Sequence, residues 1–294
     1  MPLPAVANDP AQARAAGVGG WRKLKRPLAK LAACYAAVCL LMMALETRLV
    51  YQPPASDVAL AFHPKNQDVE EVRFESADGT RLHGVLCLHP GSKRVVLYCH
   101  GNGENVRTAF SRMQQLSESL DANVMVFDFR GYGESEGSPY EEGVIADGLA
   151  AQRWLAERMD CQPDDIVVLG RSLGGGIATA IAAQQGARGL VLQNTFHRLD
   201  EVAAGKYFWL PVRWLIRNHY HSDQWIAQFR GPVLQSHGTA DRIVPYESGQ
   251  ELFAACPSAD KRFFAIDGGR HNQIEPPAYD AVLQAWFERV FASP

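Results

Sequence analysis

The sequence predicts an α/β fold: a mostly parallel central sheet covered by helices on both faces, a small helical cap above it, and an apolar helix ahead of it. Three observations predict this. Eight short runs of strand character alternate with helical periodicity between residues 69 and 292. The first two, Val69–Ser76 and Arg81–His89, flank Asp78-Gly79, a hairpin signal, so the sheet opens with an antiparallel pair. Between Asn194 and Gly231 the alternation is interrupted by about 35 residues without a strand, too long for a plain connection in a compact domain.

Residues 1–30 carry six basic groups (Arg14, Arg22, Lys23, Lys25, Arg26, Lys30) against Asp9 alone, and the stretch 1–27 reads as a disordered basic segment. From Leu31 to Leu45 the chain is uncharged, LAACYAAVCLLMMAL. As a helix this run rises about 22 Å, short of the roughly 30 Å hydrocarbon core; extending it to Leu28, with Lys30 reaching to the headgroups, brings it to a span. We read 28–50 as a signal-anchor transmembrane helix. The basic cluster before it would leave the N-terminus in the cytoplasm and residues 51–294 on the other side. Three rivals fit less well: a cleaved signal peptide lacks a good small-residue site around Met42–Thr47, a lipoprotein anchored at Cys34 would need an apolar stretch where Trp21–Lys30 is basic, and a buried amphipathic helix would not be apolar all round. Gln52-Pro53-Pro54 marks the exit, and 51–68 reads as a linker.

The remaining strand-like runs of the domain 69–294 are Arg94–Cys99, Asn123–Phe127, Ile166–Leu169, Leu190–Leu192, Val233–Gln235 and Arg262–Ile266. Helical periodicity covers Val106–Leu120, Glu141–Arg158, Leu173–Gln184, Tyr246–Ala255 and Pro277–Phe291. The strandless segment, 195–230, is crowded with aromatics and reads as a helical cap over the strand ends. At helical spacing Trp209, Arg213 and Arg217 would share one face. Trp209 and Trp214 are the expected substrate-binding residues, lining an apolar acyl slot or resting on lipid; the alternative is that they pack the cap onto the sheet.

Charge excludes one class of partner. Of 29 basic and 32 acidic residues, 22 and 30 lie in 51–294, a net −8 there, which would repel the phosphates of a nucleic acid. The six cysteines form no CxxC pair and no Cys/His cluster at zinc-finger spacing, so no structural metal is expected. They read as small apolar residues, with nothing in the sequence supporting a Cys161–Cys256 bridge.

Ligand sites in such sheets lie beyond the carboxyl ends of the strands, so the loops leaving strands carry the chemistry. After Ile166–Leu169 comes Gly170-Arg171-Ser172-Leu173-Gly174, a G-x-S-x-G. That spacing lifts a serine Oγ clear of a tight strand-to-helix turn, and the helix behind it points free N–H groups at developing negative charge. After Arg94–Cys99 comes His100-Gly101-Asn102-Gly103, whose unencumbered backbone can supply another amide; the amides of Asn102 and Leu173 are the candidate oxyanion donors. A serine nucleophile needs a base, and the base an acid that fixes its tautomer. His271 and Asp241 fill those roles from the loops after the last two strands, in the chain order Ser172, Asp241, His271. The other histidines lie in the first strands, in the cap, or at strand ends where a following glycine suggests loop bracing. Asp267 is too close in sequence to His271, Asp200 and Asp223 belong to the cap, and Asp128 precedes the serine.

At these residues the chain resembles the α/β-hydrolase family. YCHGNGEN, FDFRGYGESEGSP, GRSLGGG, QNTF, HGTADRIVP and GGRHN together look like its Bem46-type, membrane-anchored group, over about residues 69–292. The resemblance implies an α/β-hydrolase fold, Ser172 as nucleophile with Asp241 and His271, and the same two amides as oxyanion donors; it implies no particular substrate. The expected activity is hydrolysis of carboxylic esters or thioesters of small-molecule or lipid-like acyl substrates through an acyl-enzyme, without cofactor. A peptidase or amidase on the same fold, and a silent membrane-tethered binding protein, are the alternatives.

Overall fold

The computed structural model describes residues 10–54, 68–273 and 275–292. Contacts divide the chain into two compact units, Met1–Glu46 and Thr47–Pro294. The first contains most of helix α1 (Pro10–Val50). Its start differs from the sequence expectation, which began the helix at Leu28 after a disordered segment. Pro10 stands at the first helical position, where its missing N–H costs nothing, and Ala11, Ala13, Ala15 and Ala16 favour helix strongly. The part from Arg26 to Val50, 25 residues, is long and apolar enough to cross a membrane, rising about 37 Å. Residues 1–9 and most of the expected linker, 55–67, lie outside the described residues.

The second unit is built on eight strands: β1 (Val69–Glu75), β2 (Arg81–Cys87), β3 (Val95–Cys99), β4 (Asn123–Phe127), β5 (Val167–Arg171), β6 (Gly189–Gln193), β7 (Val233–Gly238) and β8 (Lys261–Ile266). They form one sheet in the order β1-β2-β4-β3-β5-β6-β7-β8. The β1–β2 and β2–β4 pairs are antiparallel and the rest parallel, as the hairpin signal followed by strand–helix repeats requires. Strand β7 outruns its expected end at Gln235 because Ser236, His237 and Gly238 stay paired with Phe264, Ala265 and Ile266 of β8.

The central parallel strands are largely apolar because both faces are covered. In β3, Val95, Leu97 and Cys99 point into one core and Val96 and Tyr98 into the other. Helices α3 (Glu141–Met159), α4 (Leu173–Gln185) and α8 (Tyr246–Ala255) contribute Leu155, Ile177, Ile181 and Leu252 to the first core. Helices α2 (Val106–Leu120) and α9 (Pro277–Ala292) contribute Met113, Leu116, Leu283 and Phe287 to the second. All six cysteines are free thiols; Cys87, Cys99 and Cys256 are buried, whereas Cys34 is exposed.

The cap is helical, but in three short pieces: α5 (Leu199–Lys206), α6 (Val212–Leu215) and α7 (Ser222–Ile226). The expected helical face through Trp209, Arg213 and Arg217 does not exist, because Pro211 caps α6 and that helix ends at Leu215. The aromatics divide into two sets. Phe196, Tyr220 and Phe229 are buried in the core, while Trp209 is 50% exposed, Phe208 85% and Trp214 89%.

Candidate active site

Ser172 stands between β5 and α4 with φ 51° and ψ −117°, a left-handed conformation that costs a non-glycine residue about 1–3 kcal/mol. The turn is possible because of its flanking glycines. A Cβ on Gly170 would stand 2.3 Å from the Gly174 carbonyl oxygen, and one on Gly174 would stand 2.1 Å from the Cys99 oxygen. The Ser172 side chain makes no capping bond to α4. Its Oγ lies 2.9 Å from Nε2 of His271.

His271 Nδ1 lies 2.6 Å from Oδ2 of Asp241. A carboxylate only accepts, so Nδ1 carries the proton and Nε2 is left to accept from the Ser172 hydroxyl. Two further groups hold the imidazole loop: Arg171 Nη2 and Asn194 Nδ2 each donate to the His271 carbonyl at 3.1 Å. The Ala240 amide donates to the Gly269 carbonyl at 2.9 Å, tying the acid's loop to the histidine's.

Asp241 is buried in a set of donors. Burial by itself pushes its pKa up. Hydrogen bonds from His237, His271 and the Ile243 amide outweigh burial and hold the carboxyl well below the usual carboxylate range. Its Oδ1 accepts the Ile243 and Val244 amides at 2.8 and 3.0 Å, which aims Oδ2 at the histidine. His237 braces this loop, as its strand-end position suggests, with Nε2 3.0 Å from the Val244 carbonyl.

Of the two expected oxyanion donors, Leu173 follows the serine as the first residue of α4, and its amide has no helical partner to bond. Asn102 is held by its side chain: Oδ1 accepts from the Gln52 amide (2.8 Å) and the Tyr132 hydroxyl (2.6 Å), and Nδ2 donates to the Val50 carbonyl (2.6 Å). Among the described residues neither backbone amide donates a hydrogen bond. Of the two expected substrate-binding tryptophans, Trp209 is half exposed and Trp214 almost fully so.

Three residues escaped the sequence reading. Glu104 accepts the Gly101 amide at 2.7 Å with one oxygen and Arg171 Nη1 at 2.6 Å with the other, coupling the Asn102 loop to the serine turn and, through Arg171, to His271. The signal was present as an acid in a glycine-rich loop and a base in the variable position of G-x-S-x-G. Asn194, at φ 48°, ends β6 and accepts the Gly238 amide at 3.0 Å while donating to His271, joining three loops. An asparagine just past a central strand was its only trace.

The family model described as the alpha/beta hydrolase fold matches residues 94–218, and one described as serine aminopeptidase, S33, matches 212–276. The chain is 38% identical over 242 residues to an uncharacterised protein of Mycobacterium tuberculosis, covering 81% of this chain and 84% of that one. It is 31% identical over 218 residues to the protein bem46 of Schizosaccharomyces pombe, covering 70% and 72%. The chain belongs to the Bem46-type α/β hydrolases. Solved structures agree on the fold of this hydrolase. The Pyrococcus furiosus esterase Pf2001 superposes with a TM-score of 0.66 at 21% identity, over 82% of this chain and 99% of that one. The acetyl xylan esterase of Paenibacillus sp. R4 superposes with a TM-score of 0.65 at 16% identity, over 78% and 86%.

Proposed function

We propose that this hydrolase cleaves carboxylic ester or thioester bonds of acyl or lipid-like substrates through an acyl-enzyme on Ser172. The observation that carries the reading is the chain of contacts Ser172 Oγ–His271 Nε2 at 2.9 Å and His271 Nδ1–Asp241 Oδ2 at 2.6 Å. His271 Nε2 takes the hydroxyl proton as Oγ attacks the carbonyl carbon. The amides of Asn102 and Leu173 receive the oxyanion. As the tetrahedral species collapses, His271 returns the proton to the departing alcohol or thiol. Water then attacks the acyl group by the same proton transfers in reverse order and frees the carboxylic acid. Asp241, kept ionised by its donors, stabilises the imidazolium formed in each half.

We further propose that Arg26–Val50 anchors the chain in a membrane, with the N-terminus cytoplasmic and the hydrolase unit on the opposite side; the span length and the basic cluster before it support this. The serine-aminopeptidase description matched over 212–276, which includes Asp241 and His271, favours one second reading, an amide substrate. A fluorophosphonate probe tests the nucleophile: the wild type should be labelled and Ser172→Ala should not. Labelling of Ser172→Ala at the wild-type rate would overturn the assignment. Turnover of p-nitrophenyl esters without turnover of aminoacyl p-nitroanilides would separate ester from amide chemistry.

A further inference from the structure

The cap presents an unusual surface. Phe208, Trp209 and Trp214 are exposed on it, and so are Lys206, Arg213 and Arg217 in the same short stretch. The cap has no shortage of interior places for aromatics, since Phe196, Tyr220 and Phe229 fill them. Large rings interleaved with cations, on a domain whose overall charge is negative, match the headgroup region of a phospholipid layer. There tryptophan rings settle at the interface, and lysine and arginine meet phosphate.

The start of the hydrolase unit, just after the apolar run in sequence, bears on the same face. Residues 50–52, where α1 ends, are fastened to the hydrolase unit. Val50 and Gln52 are bonded to Asn102, and the Tyr51 hydroxyl donates to Asn218 Oδ1 at 2.8 Å. That hydroxyl has a single proton, so its 2.8 Å contact with the Tyr220 hydroxyl must be donated by Tyr220. Asn218 lies four residues beyond Trp214, so their Cα atoms are at most about 14 Å apart. The apolar run ends at Leu45, before Glu46 and Arg48, so few residues separate it in sequence from Val50. Residues 50–52, the Asn102 loop and the aromatic face therefore belong to one part of the hydrolase unit.

We propose that the aromatic and basic face of residues 206–217 docks on the phospholipid surface of the membrane that α1 enters, so that acyl chains reach the Ser172 site from the lipid phase. This rests on the reading of Arg26–Val50 as a membrane anchor. The test uses the full chain reconstituted in vesicles of phosphatidylcholine and phosphatidylglycerol with brominated acyl chains, which quench tryptophan emission on contact. Wild type is compared with the Trp209→Phe/Trp214→Phe variant, which keeps the apolar surface while removing two of the six tryptophans. Circular dichroism checks that both are folded. The expected result is that lipid-dependent quenching falls by about twofold or more in the variant, because the two rings lie at headgroup depth. Equal quenching in both proteins while they still float with the vesicles overturns the docking and leaves the anchor standing, the face then being free for a protein partner. A full chain that fails to float overturns the anchor, and the docking with it.

Discussion

Replacing Glu104 by glutamine should impair turnover through groups that it never touches. Its two carboxylate oxygens hold the Gly101 amide and Arg171 Nη1 at 2.7 and 2.6 Å, and Arg171 in turn holds the carbonyl of His271. Glutamine offers one oxygen and one NH2, so one of the two donors must face another donor. A hydrogen bond to a charged group contributes about 1.5–3 kcal/mol. The two side chains are 18% and 26% exposed, so the low end applies, about 1.5 kcal/mol. If that energy is lost from the transition state, kcat falls about tenfold. KM should stay within about twofold, because the Asn102 loop and the imidazole act on charge that develops only during reaction. The assay is steady-state kinetics on a p-nitrophenyl ester beside a thermal unfolding curve. Unchanged kcat with a lowered melting temperature would make Glu104 a structural clamp and refute the reasoning; unchanged values of both would remove it from the argument altogether.

Ser172→Ala should lose at least about 10³-fold in kcat with the fold retained, measured by ester turnover and circular dichroism. Asp241→Asn should cost about 10³- to 10⁴-fold, because an amide can donate to Nδ1 and favour the tautomer in which Nε2 holds the proton; a loss under tenfold would contradict the role given to Asp241. Gly174→Ala should yield little folded protein, since its Cβ would stand 2.1 Å from the Cys99 carbonyl oxygen, and a soluble variant with a wild-type melting temperature would show that the turn can yield. His83 gives a pH dependence of stability. Burial lowers its pKa, but the hydrogen bond and charge of Asp128, with Glu134 and Glu71, outweigh burial and raise it above 6.5. The native state therefore binds this proton more tightly than the unfolded chain, and the contribution is complete below about 6.5 and lost as pH rises through the higher native value. Stability of the wild type should accordingly fall more steeply above that point than that of His83→Gln; equal slopes in denaturant titrations at pH 6 and above would refute it.

The sheet was legible because period and punctuation are local. A short, valine-rich apolar run such as Val95–Cys99 fits a strand covered on both faces, and Asp78-Gly79 signals a hairpin turn. The motif Gly170–Gly174 announced its turn because only glycine fits two residues before and two after Ser172, and position in loops after strands selected Asp241 and His271. The Leu173 amide followed from the serine, since the first N–H groups of any helix lack partners. What the sequence left open depends on contacts between residues far apart in the chain. Glu104 and Arg171 are ordinary surface charges until β3 and β5 pair and bring their loops together. Asn194 matters only because β6 lies between β5 and β7. Periodicity put Trp209 and Arg213 on one helix, but Pro211 and the burial of Tyr220 and Phe229 broke the cap into short pieces and turned one set of aromatics outward. Tyr51 and Gln52, read as linker, are fastened instead to Asn102, Asn218 and Tyr220, because hydrogen bonds spanning 50 residues or more leave no mark on local pattern. Backbone chemistry decides the elements; which side chains meet is decided only when the sheet has ordered them.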